Sequence, residues 1–146
     1  MNYLMSFITN KYIFVPFLLW LGIQIFKVIW DYAKEKKFNI KRFMGAGGMP
    51  SSHSAVVCSL AALIGKDVGL GTPLFGMAVI LALVVMYDAA GVRRAAGNQA
   101  KVLNKIIENP ELNVSAAQGK LVEGLGHQPK EVLAGAIIGI VVGALL

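Results

Sequence analysis

YIFVPFLLWLGIQIFKVIW, residues 12–30, decides the fold class. It is an almost unbroken apolar run, close to the about 20 residues a helix needs to cross the hydrocarbon core of a bilayer. No small-residue cleavage site follows it and it flows into a charged loop, so it reads as a retained membrane helix rather than a signal peptide. Three further apolar segments lie at 54–65, 73–87 and 132–146. The second is stopped by Lys66 and Asp67, which leaves open a tilted or re-entrant helix. The expectation is an all-α integral membrane helical bundle, residues 1–146 as one domain, with about four membrane segments and an additional polar or interfacial helix.

Composition supports this. Of the 146 residues 56% are hydrophobic, and the mean hydropathy of +0.64 is far above that of a soluble domain, so the excess apolar surface calls for lipid. Fourteen Lys and Arg against eight acids give a net charge of +6. A basic balance fits nucleic acid, an anionic membrane surface or a phosphorylated substrate. The cations fall in loops between apolar runs and form no basic arm, which argues against nucleic acid. The single Cys58 has no possible partner within the chain and reads as a small buried hydrophobe.

Local chemistry marks the helix starts. Pro50-Ser51-Ser52, Gly71-Thr72-Pro73 and Gly126 to Pro129 each precede an apolar segment with N-cap and first-turn residues. The polar stretch from Asp88 to Glu131 is too long for a turn. With Ala-rich helical character around Ala95 to Ile107, it predicts an interfacial or cytoplasmic helical excursion carrying Arg93, Arg94, Lys101 and Lys105. Lys34, Lys36, Lys37, Lys41 and Arg42 crowd the first long loop, and Arg93, Arg94, Lys101, Lys105, Lys120 and Lys130 the second; Lys66 stands alone in the middle loop. The positive-inside rule puts both long loops in the cytoplasm. Gly135, Gly139 and Gly143 recur every four residues on one face of the last helix, a surface that admits a close neighbour from the same chain or from a second copy. A homodimer through that face is one expectation.

Three clusters carry the chemistry. The loop Gly45-Ala46-Gly47-Gly48-Met49-Pro50-Ser51-Ser52-His53 runs into a helix start, where backbone N–H groups and the helix dipole favour an anion. Lys41, Arg42 and His53 tilt it toward phosphate. In Gly126-His127-Gln128-Pro129-Lys130-Glu131 an imidazole is followed four residues on by a carboxylate. Glu131 either orients the ring, leaving its other nitrogen free as a nucleophile, or steadies the first turn of its helix. Asp88 with Arg93 and Arg94 forms the third cluster, whose guanidinium forks suit phosphoryl oxygens and equally suit a topology anchor. No His-Glu-x-x-His or cysteine pair supports a metal site, and no cofactor is expected.

Pro50-Ser51-Ser52-His53 with the distant His127-x-x-x-Glu131 resembles the last two signatures of the type 2 phosphatidic acid phosphatase family, which includes lipid phosphate phosphatases and vanadium-dependent haloperoxidases. GGMPSSHSA, YDAAGVRRAAGNQA and LGHQPKEV look like its divergent membrane branch in bacteria and plastids, a likeness that runs from Lys41 nearly to the last residue. The resemblance implies a phosphatase of the bacterial cell membrane acting on a lipid phosphate monoester or diphosphate among membrane lipids. His127 would be the nucleophile, Glu131 its orienting acid and His53 the proton donor to the leaving group. Lys41, Arg42, Gly48, Ser51, Ser52, Arg93 and Arg94 would hold phosphate. Departures are visible too. Ser52 stands where the family has Gly, Glu131 where it has Asp, Leu121 where it has an Arg, and the first signature is represented only by Lys41-Arg42. The alternative is a non-catalytic membrane protein that binds anionic lipid or assembles with other membrane proteins.

Overall fold

The computed structural model describes residues 3–36, 47–109, 121, 123 and 126–146, and these are helical throughout apart from turns and connections. Six helices follow in order: α1 (Tyr3–Ile8), α2 (Lys11–Glu35), α3 (Ser52–Asp67), α4 (Pro73–Ala90), α5 (Val92–Ile107) and α6 (Pro129–Leu145). The all-α expectation holds. Lys41 and Arg42 lie outside the described residues.

Each long helix starts where its sequence offers a cap. Asn10 accepts the Tyr12 N–H at 3.0 Å, Ser51 the Ser54 N–H at 3.4 Å and Thr72 the Phe75 N–H at 3.3 Å. These side chains satisfy donors that the first helical turn leaves without a carbonyl. Pro73 and Pro129 occupy first-turn positions, where a missing N–H costs nothing. α2 runs five residues past the apolar segment read from sequence and stops at Lys36, whose φ of 51° is left-handed.

α3 is the hub. It packs along α6 and against both α4 and α2. Its buried residues include Ser52, Ser54, Ala55, Ser59, Ala61 and Gly65, small side chains that let backbones approach. That is why its hydropathy is the weakest of the four segments: it meets protein on several sides. The outward side chains are large and apolar instead. Phe17, Phe26, Ile29, Ile80, Leu133 and Ile137 are each about half exposed, an inverted pattern that lipid covers favourably and water does not.

Two helical stretches, Lys11–Lys34 and Pro73–Ile107, are long and apolar enough to cross a membrane. α3 and α6, at 16 and 17 residues, are about 24 and 26 Å long, short of an about 30 Å hydrocarbon core. The expectation of about four membrane segments therefore narrows to two full-length candidates plus two shorter helices packed between them.

The glycine face of α6 has its partner inside the chain, which corrects the homodimer expectation. A Cβ built on Gly135, Gly139 or Gly143 would overlap the carbonyl oxygen of Ser51, Ala55 or Ser59 respectively. The two four-residue repeats mesh, one rung per turn, and leave that face of α6 covered by α3.

At the far end of the bundle, Asp67 accepts from Lys11 Nζ at 2.7 Å and from the Tyr12 hydroxyl at 2.9 Å, tying the start of α2 to the end of α3. The polar helix foreseen at 95–107 begins earlier, at Val92, and is separated from α4 only by Gly91. Asn104 on α5 is buried and holds the returning chain: its amide donates to the Leu121 carbonyl at 2.9 Å and to Glu123 Oε1 at 2.8 Å, while its oxygen accepts the Leu121 N–H at 2.9 Å.

Candidate active site

The end of the bundle away from Asp67 gathers the start of α3, the α4–α5 junction and the start of α6. Two backbone bonds lock these together. The His127 N–H donates to the Ala89 carbonyl and the Ser51 N–H to the Glu131 carbonyl, each at 2.9 Å. Gly126 makes the first approach possible: its φ is +92°, and a Cβ there would collide with the backbone of Arg93 and Arg94. The glycine thus presses the His127 loop onto the first turn of α5.

His127 and His53 meet in this pocket, ring centroids 5.7 Å apart and nearly edge to face. His127 is 1% exposed, and its Nδ1 lies 3.1 Å from Glu131 Oε2. A carboxylate only accepts, so Nδ1 carries the proton and Nε2 presents its lone pair. That Nε2 is buried without a hydrogen-bond partner among the described residues. An orphaned buried acceptor costs about 1–3 kcal/mol, so its persistence marks a place for a ligand. The same Oε2 also accepts the Gln128 N–H at 3.1 Å. Glu131 therefore serves both readings left open by the sequence: it caps its helix and orients the ring.

His53, in the first turn of α3, is half-buried. Arg93 Nη1 lies 3.5 Å from its Nε2, and Arg93 Nε donates to Asp88 Oδ2 at 2.7 Å. Guanidinium nitrogens only donate, so His53 Nε2 accepts and Nδ1 bears the proton. His53 Nδ1 too is buried without a partner among the described residues. Asp88 thereby holds Arg93 beside His53. Arg94 is exposed, and its side chain leaves the helix about 100° round from that of Arg93; its part here is the backbone against Gly126.

Both imidazoles sit below the usual histidine range. For His53 burial is the main cause, followed by the Arg93 cation and then His127. For His127 burial again dominates and outweighs the Glu131 hydrogen bond, which pulls the other way. Each ring is therefore neutral at pH 7.

Gly47 and Gly48 have φ of 103° and 81°, which shape the turn into Pro50. Ser51 is fully buried and its hydroxyl is committed to the cap, accepting from Ser54 Oγ at 3.1 Å as well as from the Ser54 N–H. The Ser52 and His53 N–H groups, as first-turn donors, have no intrahelical acceptor.

Lys27 belongs to this site and went unnoticed in the sequence. It is 3% exposed, its Nζ donates to the Gly47 carbonyl at 3.2 Å, and its charge helps depress both histidines. A lone lysine inside the apolar run 12–30 was the available signal, since an ionisable group at membrane depth is costly and kept where it has work to do.

An uncharacterized membrane protein, YuiD, of Bacillus subtilis strain 168 is 38% identical over 134 residues, covering 84% of this chain and 85% of that protein. No solved structure matches. A family model described as the Divergent PAP2 family matches residues 8–142, a span that holds every element of the pocket, and the chain belongs to that family.

Proposed function

We propose that this protein is a membrane phosphatase that hydrolyses a lipid phosphate monoester or diphosphate through a phosphohistidine on His127. The observation that carries the reading is the buried, unpartnered Nε2 of His127, whose opposite nitrogen is fixed by Glu131. Nε2 attacks phosphorus, the P–O bond to the lipid breaks, and the leaving oxygen takes a proton from His53. Water then attacks the phosphohistidine, gives a proton to His53 and releases inorganic phosphate. Arg93, Lys27 and the free N–H groups of Ser52 and His53 surround the charge that spreads over the phosphoryl oxygens.

Burial and the Arg93 cation keep His53 neutral at pH 7, and a phosphoryl dianion supplies the negative charge that favours its protonation. The loop cations orient the site end to the cytoplasm of a bacterial cell, so the headgroup is met on the inner leaflet. Phosphate release from vesicles carrying phosphatidate or a prenyl diphosphate, by the purified full chain with and without a chelator, tests the reading. Release that survives chelation supports it; none from either lipid sinks it.

Two further results are expected. Glu131→Gln keeps the shape but loses the fixed tautomer, and turnover falls by about 10³-fold while the melting temperature changes little. Turnover equal to the parent's would remove Glu131 from the mechanism. The pH profile of kcat/KM reports the free enzyme, in which His127 must be unprotonated and His53 protonated. Both groups titrate below their ordinary value of 6.5, so activity rises through one and falls through the other in acid, with the optimum below pH 6.5. An optimum above neutrality would contradict the assigned proton states.

A further inference from the structure

Beside the histidine pocket a groove of about 660 Å³ opens between α2 and α6. Its α2 wall is a stripe with one residue per turn: Leu18, Gly22, Phe26, Trp30 and finally Lys34. The opposite wall is Ala134 and Ile138 of α6, and Met49 and Pro50 close the end. That closed end is the site end. Pro50 precedes the Ser51 N–H that bonds the Glu131 carbonyl, and Ala134 lies one turn beyond Glu131.

Three observations say what the groove takes. Every lining residue but one is apolar, and the exception, Lys34, stands at the site end with its Nζ 5.1 Å from the Trp30 ring centroid. The groove therefore pairs a cation at the site end of α2 with hydrocarbon walls, a pattern complementary to a phosphorylated lipid. From Leu18 to Phe26, the part of the α2 stripe that leads away from Lys27 and the histidines, the wall extends about 12 Å into the hydrocarbon core. A Cβ on Gly22 would meet nothing within 4 Å, so the middle of the groove is open down to the α2 backbone.

We propose that the groove between α2 and α6 holds the apolar chain of the phosphorylated lipid while its phosphoryl group lies at His53 and His127. The substrate then enters sideways from the bilayer, headgroup and tail together. This rests on the phosphatase reading for the identity of the headgroup. Phosphatidate and a prenyl diphosphate share the required chemistry, an apolar chain ending in phosphate.

Photolabelling of the full chain in phosphatidylcholine vesicles, with an alkyl phosphate bearing a diazirine in its chain, tests the proposal without requiring turnover. Label is expected on residues 18–30 and 134–138 in excess over the outward face of α4 at Met77 to Val84. Gly22→Leu, whose Cβ would meet nothing within 4 Å, fills part of the groove and lowers that label about tenfold, the effect of displacing about two methylenes. Gly76→Leu, at an α4 glycine whose Cβ would also meet nothing within 4 Å, leaves it unchanged. Equal labelling of groove and α4 would mean ordinary boundary lipid and overturn the proposal, as would a crosslink that seats a helix of a second copy there. The ratio of long-chain to short-chain phosphate release, compared between the parent and Gly22→Leu for each lipid, shows which chain fits. Groove label without His127-dependent release would keep the groove and remove the phosphatase; His127-dependent release with uniform label would do the reverse.

Discussion

Alanine in place of His127 lowers phosphate release from a lipid phosphate by more than about 10⁴-fold, because it removes the atom that bonds to phosphorus rather than one that assists. The effect exceeds that of His53→Ala, where only the general acid is lost and a factor of about 10²–10⁴ is expected. His127 is 1% exposed, so alanine also empties a small cavity and frees one Glu131 contact. Glu131 keeps its bond from the Gln128 N–H, and the His127 backbone bond to the Ala89 carbonyl is untouched. The variant should therefore fold, which thermal unfolding in detergent checks. His127→Gln, closer in volume, guards against a packing artefact. Release by either variant at the parent's rate would return the weight to a protein that binds anionic lipid without turning it over.

Leucine at Gly139 has the largest expected effect on stability. A side chain there meets the Ala55 backbone, which cannot move aside as a side chain would, so α3 and α6 must separate along their shared face. The cost is about 3 kcal/mol or more, at or above the upper range for overpacking, and it falls on the central helix pair. The variant should lose its cooperative melt or fail to accumulate in membranes. The same substitution at Gly22 should leave the melt intact, since that position faces open space. If the glycine face were a dimer contact, Gly139→Leu would give a folded monomer with an unchanged melt, contrary to the geometry.

Much of this was legible in the residues. The four apolar segments became α2, α3, α4 and α6 with ends shifted by a few residues, and the caps at Ser51 and Thr72 lie where the sequence placed them. Both histidines were singled out by their position at polar mouths of apolar runs, and the structure brings them to within one ring contact of each other. What stayed hidden was long-range. The four-residue repeat Ser51, Ala55, Ser59 is inconspicuous until it is seen meshing with Gly135, Gly139 and Gly143. Averaging hydropathy over residues 12–30 conceals Lys27, because one cation among many apolar side chains barely lowers the mean. Choosing between Arg93 and Arg94 required knowing which way α5 leaves α4; only Arg93 is shown against His53. Seeing Glu131 as both cap and orienting group required the distance between two side chains that spacing alone left undecided.

The most direct test of the central claim is to look for the covalent intermediate. The full chain in vesicles is mixed with a lipid carrying radiolabelled phosphate, quenched in alkali within the first turnovers, digested and mapped. The expected result is a label that is stable to alkali and lost in acid, confined to the peptide containing His127 and absent from His127→Ala. Phosphate release without any such label, or a label on another residue, would contradict the account.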